Sequence, residues 1–401
     1  LLFNANIMFP KFWRDNNNSQ ATREATDYLF QLYLYLGFRH PLQRHQLHKV
    51  YSVLIQLSVC VFLPISFALS YSYEYSKMTI VQLLTSLQAY INILGIPAKI
   101  LTITVSMKHL RQALLVTDIL DARCQCPKEH EKIRHCAMTG NRLAIFYCSL
   151  YCFYVTATMI ASLCNGKPAY ALFLPVINWH NSLMELLVHS CIEYMLLNLA
   201  VLYQAGIDGY PVIYIYVIRT HMQILVERVR SLGTNVSSSN DKHYEQLVNC
   251  VKDHQALLSL VEIIIPVISI TMFIQFTITA IILGTTLINM LVFADLSGQI
   301  GSAVYLLAVL VQTSPCCYQA TCLLEDSDQL SLAIFHCNWF NKDRRFRKLL
   351  VYFMMRSQMP ITLTALKLFP IHVNTSVGIA KFSFSLYMLI KEMDFGNNLK
   401  P

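Results

Sequence analysis

Seven apolar stretches, each long enough to cross the roughly 30 Å hydrocarbon core of a bilayer, constrain this chain more than any other feature. They run over residues 50–71, 80–107, 143–163, 186–218, 257–283, 303–324 and 371–390, and the first, third and sixth contain no Asp, Glu, Lys or Arg. The fourth carries Glu193, Asp208, Gly206, Gly209 and Pro211, which predicts an interrupted span, and the seventh carries His372 and Lys381. Such residues are tolerated in a span that faces protein or a wet cavity. The fold class expected is therefore an all-α integral membrane protein with seven transmembrane helices. Composition agrees: 13% of residues are charged, against roughly 25% in a soluble domain.

Residues 1–49 hold Lys11, Arg14, Asp15, Arg23, Glu24 and Asp27 instead of a basic tip and an apolar core, so the first span is expected to serve as the insertion signal. Most of the thirteen cysteines lie in spans or on loops assigned to the cytosol, and structural disulfides are not expected. Cys124, Cys126, His130, His135 and Cys136 match no zinc spacing and read as reduced thiols and surface histidines. No metal or other cofactor is expected.

Lys and Arg near span ends are retained on the cytoplasmic side. The N-terminal segment holds six, the second-to-third loop seven, the fourth-to-fifth loop five and the sixth-to-seventh loop seven, or 25 of the 31 in the chain. The opposite side has only Lys77, Lys167, Lys391 and Lys400. The N-terminus is thus predicted cytosolic and the C-terminus extracellular, the reverse of a G-protein-coupled receptor. Sequons at Asn17, Asn235 and Asn374 fall on the cytosolic side and should be unmodified.

The last quarter carries the most specific signal. Cys317-Tyr318-Gln319-Ala320-Thr321-Cys322-Leu323-Leu324-Glu325-Asp326-Ser327 is similar to a Cys-Tyr-x-Gly-Asn-Glu-Leu-x-Glu-Glu-Ser run of the insect odorant receptors, with departures at Ala320, Thr321 and Cys322. Met355-Arg356-Ser357-Gln358-Met359-Pro360-Ile361-Thr362-Leu363-Thr364-Ala365 resembles that family's Met-x-Arg-Ser-Gln-x-Pro-x-x-Leu-Thr-Ala element, and Lys367-Leu368-Phe369-Pro370 continues in register. The ending Lys381-Phe382-Ser383-Phe384-Ser385-Leu386-Tyr387-Met388-Leu389-Ile390 resembles Lys-x-Ser-Tyr-Ser-Tyr-Phe-Thr-Leu-Leu. Upstream the resemblance is looser and includes Lys99 and Asp253-His254-Gln255. Gustatory receptors share the topology, but their Thr-Tyr…Gln-Phe ending is absent.

The resemblance implies an odorant receptor subunit that binds a small volatile and gates a non-selective cation channel. It further implies four subunits around one pore, with the odorant receptor co-receptor as partner, at the plasma membrane of a sensory dendrite. The family's co-receptor carries a long fourth-to-fifth loop; here that loop is short, as in an odour-tuning subunit. No nucleic-acid partner is implied. The domains expected are a cytosolic segment at 1–49, six spans with the odour pocket at 50–322, cytosolic anchor helices at 323–370, a pore-lining span at 371–393 and a tail at 394–401. In the anchor, Leu330, Ala333, Ile334 and Cys337, then Phe346, Leu349, Leu350 and Phe353, recur at helical spacing, an apolar face to be buried against a partner or within the chain.

An aromatic, mostly apolar pocket suits a volatile held by shape and few hydrogen bonds. The outer halves of spans two, three, four and six offer Tyr90, Tyr151, Tyr154, Thr158, Met195, Tyr203 and Tyr305 for it. In the seventh span, Ser376, Gly378, Ser383 and Ser385 suit either a pore or close helix packing. Leu389 and Met393, four apart on one face, are expected to form a hydrophobic gate together with Ser385 nearby. The chain has no His-Glu-x-x-His, Gly-x-Ser-x-Gly or Gly-x-Gly-x-x-Gly motif, so no enzyme is expected. It shows no internal repeat of the transporter kind either.

Overall fold

In a hydrocarbon core no water can satisfy a backbone amide, so long apolar runs close their own hydrogen bonds as helices. A computed structural model of the chain describes residues 21–38, 46–74, 79–175, 177–234, 239–294 and 296–392. Among them, six helices are long and apolar enough to cross a membrane, and they coincide with the first six stretches. In chain order, a 3-10 turn (Thr22–Thr26) leads into α1 (Asp27–Tyr35). Next come α2 (Gln46–Leu57) and α3 (Leu63–Glu74), joined by a π-turn at Ser58–Phe62. Then follow α4 (Ile80–Asp121), α5 (Pro127–Cys164), α6 (Leu183–Arg230), α7 (Asn240–Ile288), α8 (Leu296–His336), α9 (Arg344–Ser357) and α10 (Val373–Glu392). Met393, the tail at 394–401 and the sequons at Asn17 and Asn235 lie outside the described residues.

Local chemistry marks the helix starts. Thr79 caps α4 in a reciprocal box with Gln82, and Ser182 accepts from the Glu185 N–H at the start of α6. Pro127 occupies the first turn of α5, where its missing N–H removes a donor that has no intrahelical partner there. The helices α4 to α8 contain 42, 38, 48, 49 and 41 residues. At 1.5 Å per residue they are about 57–74 Å long, roughly twice a bilayer core. Their excess length gathers at the end that carries the basic residues, called the inner end below.

Helix α6 is the axis of the molecule. Every residue from Tyr203 to Ile215 is buried, so Gly206, Gly209 and Pro211 do not interrupt it as their sequence suggests. A helix enclosed by neighbours stays continuous through its weak points. Two glycines allow the N-terminal segment to dock: a Cβ on Gly140 of α5 would lie 2.5 Å from the Ala25 carbonyl oxygen, and one on Gly206 would lie 2.9 Å from the Tyr33 ring. Tyr33 donates to the Gly206 carbonyl at 3.0 Å, while Thr22 is tied to Asp121 and His221.

At the inner end an ion-pair cluster fastens four helices. Arg228 of α6 binds Glu129 of α5 and Asp253 of α7, each at 2.6 Å, and Arg123, just past α4, binds Asp253 at 2.8 Å. Burial alone would raise the Glu129 carboxyl. The Arg228 guanidinium and the backbone N–H groups of Cys126 and Gln125 outweigh it and hold the group at about 2.

The apolar face expected in the anchor is covered within the chain. Leu330, Ala333, Ile334, Cys337, Phe346, Leu350 and Phe353 are buried where α9 folds back on α7 and α8. Two two-residue strands, Thr364–Ala365 and Phe369–Pro370, then pair antiparallel around Leu366 and Lys367, both at positive φ. The Leu366 N–H reaches Ser269 Oγ at 2.8 Å, pinning this turn to α7 before the chain enters α10.

Candidate ligand cavity

Helices α4, α5, α6 and α8 leave between their outer halves a cavity of about 80 Å³. Its wall follows helical spacing: Ala89, Asn92, Ile93 and Ile96 on α4, Tyr154, Val155 and Thr158 on α5, Leu197, Ala200, Val201 and Gln204 on α6. Tyr305 comes from α8, and Ala169 and Tyr170 come from the loop after α5. The Tyr154 and Tyr305 rings face each other at 6.2 Å.

That loop forms a roof, held by buried polar groups on two sides. Ser66 and Ser70 of α3 donate to the carbonyls of Phe173 and Ala171 at 2.9 and 2.7 Å. From α6, Glu193 accepts the Tyr170 N–H at 2.7 Å and His189 Nε2 donates to the Leu172 carbonyl at 2.8 Å. Glu193 and His189 are both fully buried. The fourth stretch thus keeps its carboxylate because it anchors a roof.

Beneath the cavity lies a polar floor. Gln204 Nε2 donates to Asp208 at 2.7 Å and Tyr151 donates to Asp208 at 2.9 Å. Lys99 Nζ lies 3.4 Å from Asp208, donates to Gln275, and is completely buried. Gln275 in turn donates to Gln312 of α8 at 3.2 Å. An ion pair here needs every one of these partners, because a charge stranded in so dry a place costs several kcal/mol.

Of the seven residues expected at the pocket, Tyr154, Thr158 and Tyr305 line the cavity. Tyr151 sits in the floor, and Tyr90 lies behind the wall, stacked on Phe67 at 5.9 Å. The other two lie elsewhere. Tyr203 turns toward the N-terminal segment and donates to the Leu36 carbonyl, and Met195 is 66% exposed on the outer surface of α6. The lining residues Asn92, Tyr170 and Gln204 escaped the sequence reading. Gln204 had a signal: it stands seven residues from Leu197 on one helical face.

On α10, Gly378, Phe382, Ser385 and Leu389 are exposed, spaced as one stripe. Ser376 and Ser383 are buried on the other side, where Ser383 approaches the Ala280 carbonyl of α7.

The signature residues of the last quarter work as framework. Arg219 of α6 bridges Gln319 and Asp326 of α8 at 2.6 and 2.8 Å. Ser327 receives the Ile361 N–H, and Thr321 receives the Val373 N–H where α10 begins.

A family model described as 7tm Odorant receptor matches residues 79–384. Odorant receptor 42a of Drosophila melanogaster is 33% identical over 98% of this chain and 97% of its own length. Odorant receptor 42b of the same fly is 34% identical over 95% of this chain and 96% of its own. Among solved structures, the olfactory receptor OR5 of Machilis hrabei superposes with a TM-score of 0.64 at 14% identity, covering 92% of this chain and 96% of that one. A second structure of OR5, in complex with eugenol, also gives 0.64, at 15% identity and covering 93% and 97%.

Proposed function

This chain belongs to the insect odorant receptor family, and we propose that it is the odour-tuning subunit of a cation channel opened when a small volatile fills the α4–α5–α6–α8 cavity. The observation that carries this reading is the cavity itself: aromatic, roofed by a pinned loop, and sharing Tyr305 with α8, whose other end meets the start of α10 through Thr321. A ligand can open the channel only by binding the open state more tightly than the closed one. A wall formed by four separate helices gives it the means.

The distribution of Lys and Arg supports seven spans with a cytosolic N-terminus and an extracellular C-terminus, in the plasma membrane. In this reading α10 is the seventh span and lines the pore with its exposed stripe, Ser385 and Leu389 included, and Met393 continues the gate. Apolar side chains at a narrow ring exclude ions because they cannot replace the water around a cation.

The partner is a co-receptor, in a tetramer, and the short stretch of sequence between Arg230 and Asn240 fits a tuning subunit. Residues 323–370 form the anchor: with one face buried internally, Leu332, Phe335, Phe340, Val351, Tyr352 and Met355 remain exposed. A patch of this kind marks a protein or membrane contact.

Coexpression with the co-receptor and current recording against an odour panel tests the reading. Odour-evoked cation current that needs both chains supports it, and robust current from this chain alone contradicts the partnership. Leu389→Ser or Leu389→Asn should raise resting current or alter permeability. No change in a channel shown to reach the surface removes Leu389 from the gate.

A further inference from the structure

We propose that the cavity selects small odorants that carry a hydrogen-bond donor, an alcohol above all, through the free amide oxygens of Gln204 and Asn92; this rests on the reading of the cavity as the odour site. Gln204 is 4% exposed and lines the cavity. Its amide cannot turn freely. Asp208 already receives Tyr151 and Lys99, so the group that Gln204 presents to it is the donating nitrogen, at 2.7 Å. Gln204 Oε1 is left without a partner.

A second acceptor lies across the cavity: Asn92 Oδ1 is buried and unpartnered. Two buried acceptors on separate helices, one of them oriented by what its nitrogen holds, are unusual because buried polar atoms are nearly always satisfied. Water can occupy the site between odours, since the space is roomy enough and offers it these two acceptors. A ligand that displaces that water and supplies its own O–H keeps the hydrogen bond, whereas an ether or an alkane leaves an acceptor stranded. Discrimination of this kind is strong, because a site built to bond a hydroxyl rejects an analogue that lacks it.

Pentanol and butyl methyl ether make a matched test, being isomers that differ in the O–H. In cells expressing this chain with the co-receptor, the half-maximal concentration for pentanol should be at least about tenfold lower than for the ether. Gln204→Met, which removes the free oxygen at similar volume, should bring the two isomers within about twofold of each other. Asn92→Leu supplies the same test on another helix should Gln204→Met fail to reach the surface. Surface labelling and the current from a direct co-receptor agonist monitor assembly.

Equal sensitivity to the isomers, a preference for the ether, or silence to both with the agonist current intact overturns the proposal. So does a preference that survives in both variants. Ala200→Phe, which fills the cavity, separates the two levels of the argument. If it removes odour responses while the wild-type chain treats the isomers alike, the cavity stands and the donor rule falls. If it leaves odour responses unchanged, the cavity is not the odour site and both fall.

Discussion

The outer cavity and the inner bundle are built from the same helices with opposite treatment of polar groups. At the inner end Arg228 serves two carboxylates and the Arg123 carbonyl, and Asp253 serves two arginines. In the cavity wall Asn92 and Gln204 each keep one buried polar atom without a hydrogen bond. A saturated network has one arrangement and fixes how helices meet, while an unsaturated one leaves hydrogen-bonding capacity for a guest. Residues that identify the family, such as Gln319, Asp326 and Ser327, belong to the first kind. Those that would choose the odour belong to the second.

The sharpest way to break this contrast is Arg228→Met. It strands Glu129 and leaves Asp253 with Arg123 alone, at about 3–5 kcal/mol, and should abolish surface expression and all currents, those of a direct co-receptor agonist included. Normal trafficking of this variant would mean that the inner network is ornamental. Tyr154→Ala, by contrast, removes one cavity wall and should shift odour sensitivity by about tenfold with the agonist current kept. Equal loss of both currents would show that the cavity is as structural as the bundle.

Acid should act on the inner end. Burial, with the nearby Arg228 for His221 and Arg356 for His254, lowers both imidazoles from 6.5 to about 4. The unfolded chain therefore takes up protons below pH 6.5 that the folded chain refuses until about 4. The stability that these groups contribute is complete above 6.5 and lost through that window. The melting temperature of detergent-purified protein should fall across it, and less so in the His221→Gln, His254→Gln double variant. An unchanged slope in the double variant would exclude these two groups as its cause. The smallest effect is expected at Met195, which faces outward: Met195→Ala should change stability by no more than about 0.5 kcal/mol and leave the odour dose–response curve in place.

The sequence reading was sound where lipid dictates composition and weaker where protein faces protein. Hydropathy located six long helices but cut them short: the second stretch ends at Met107 while α4 continues to Asp121. Beyond the bilayer a helix needs no apolar surface toward lipid, so its signal fades although its hydrogen bonds continue. Gly206, Gly209 and Pro211 suggested a break because propensity describes an isolated helix, and α6 is enclosed by neighbours. In the cavity, aromatic type alone selected Tyr203 and Tyr154 equally. Which of them meets a void depends on helix rotation, and the partner of Tyr203 is a carbonyl 167 residues away. Tyr170 lay beyond reach for another reason: it arrives from a loop, where no periodicity points to it.

The docking of the N-terminal segment has a consequence for synthesis. Thr22 meets Asp121 and His221, partners 99 and 199 residues further along the chain. At about 5–20 residues per second, the ribosome needs about 10–40 s after making Thr22 before His221 exists. Throughout that interval Leu29, Tyr33 and Leu36, all destined for the interior, have no α6 to cover them. A segment made early is thus among the last to find its place. A cell that produces this receptor must therefore shelter this apolar segment while the spans behind it are still being threaded into the membrane.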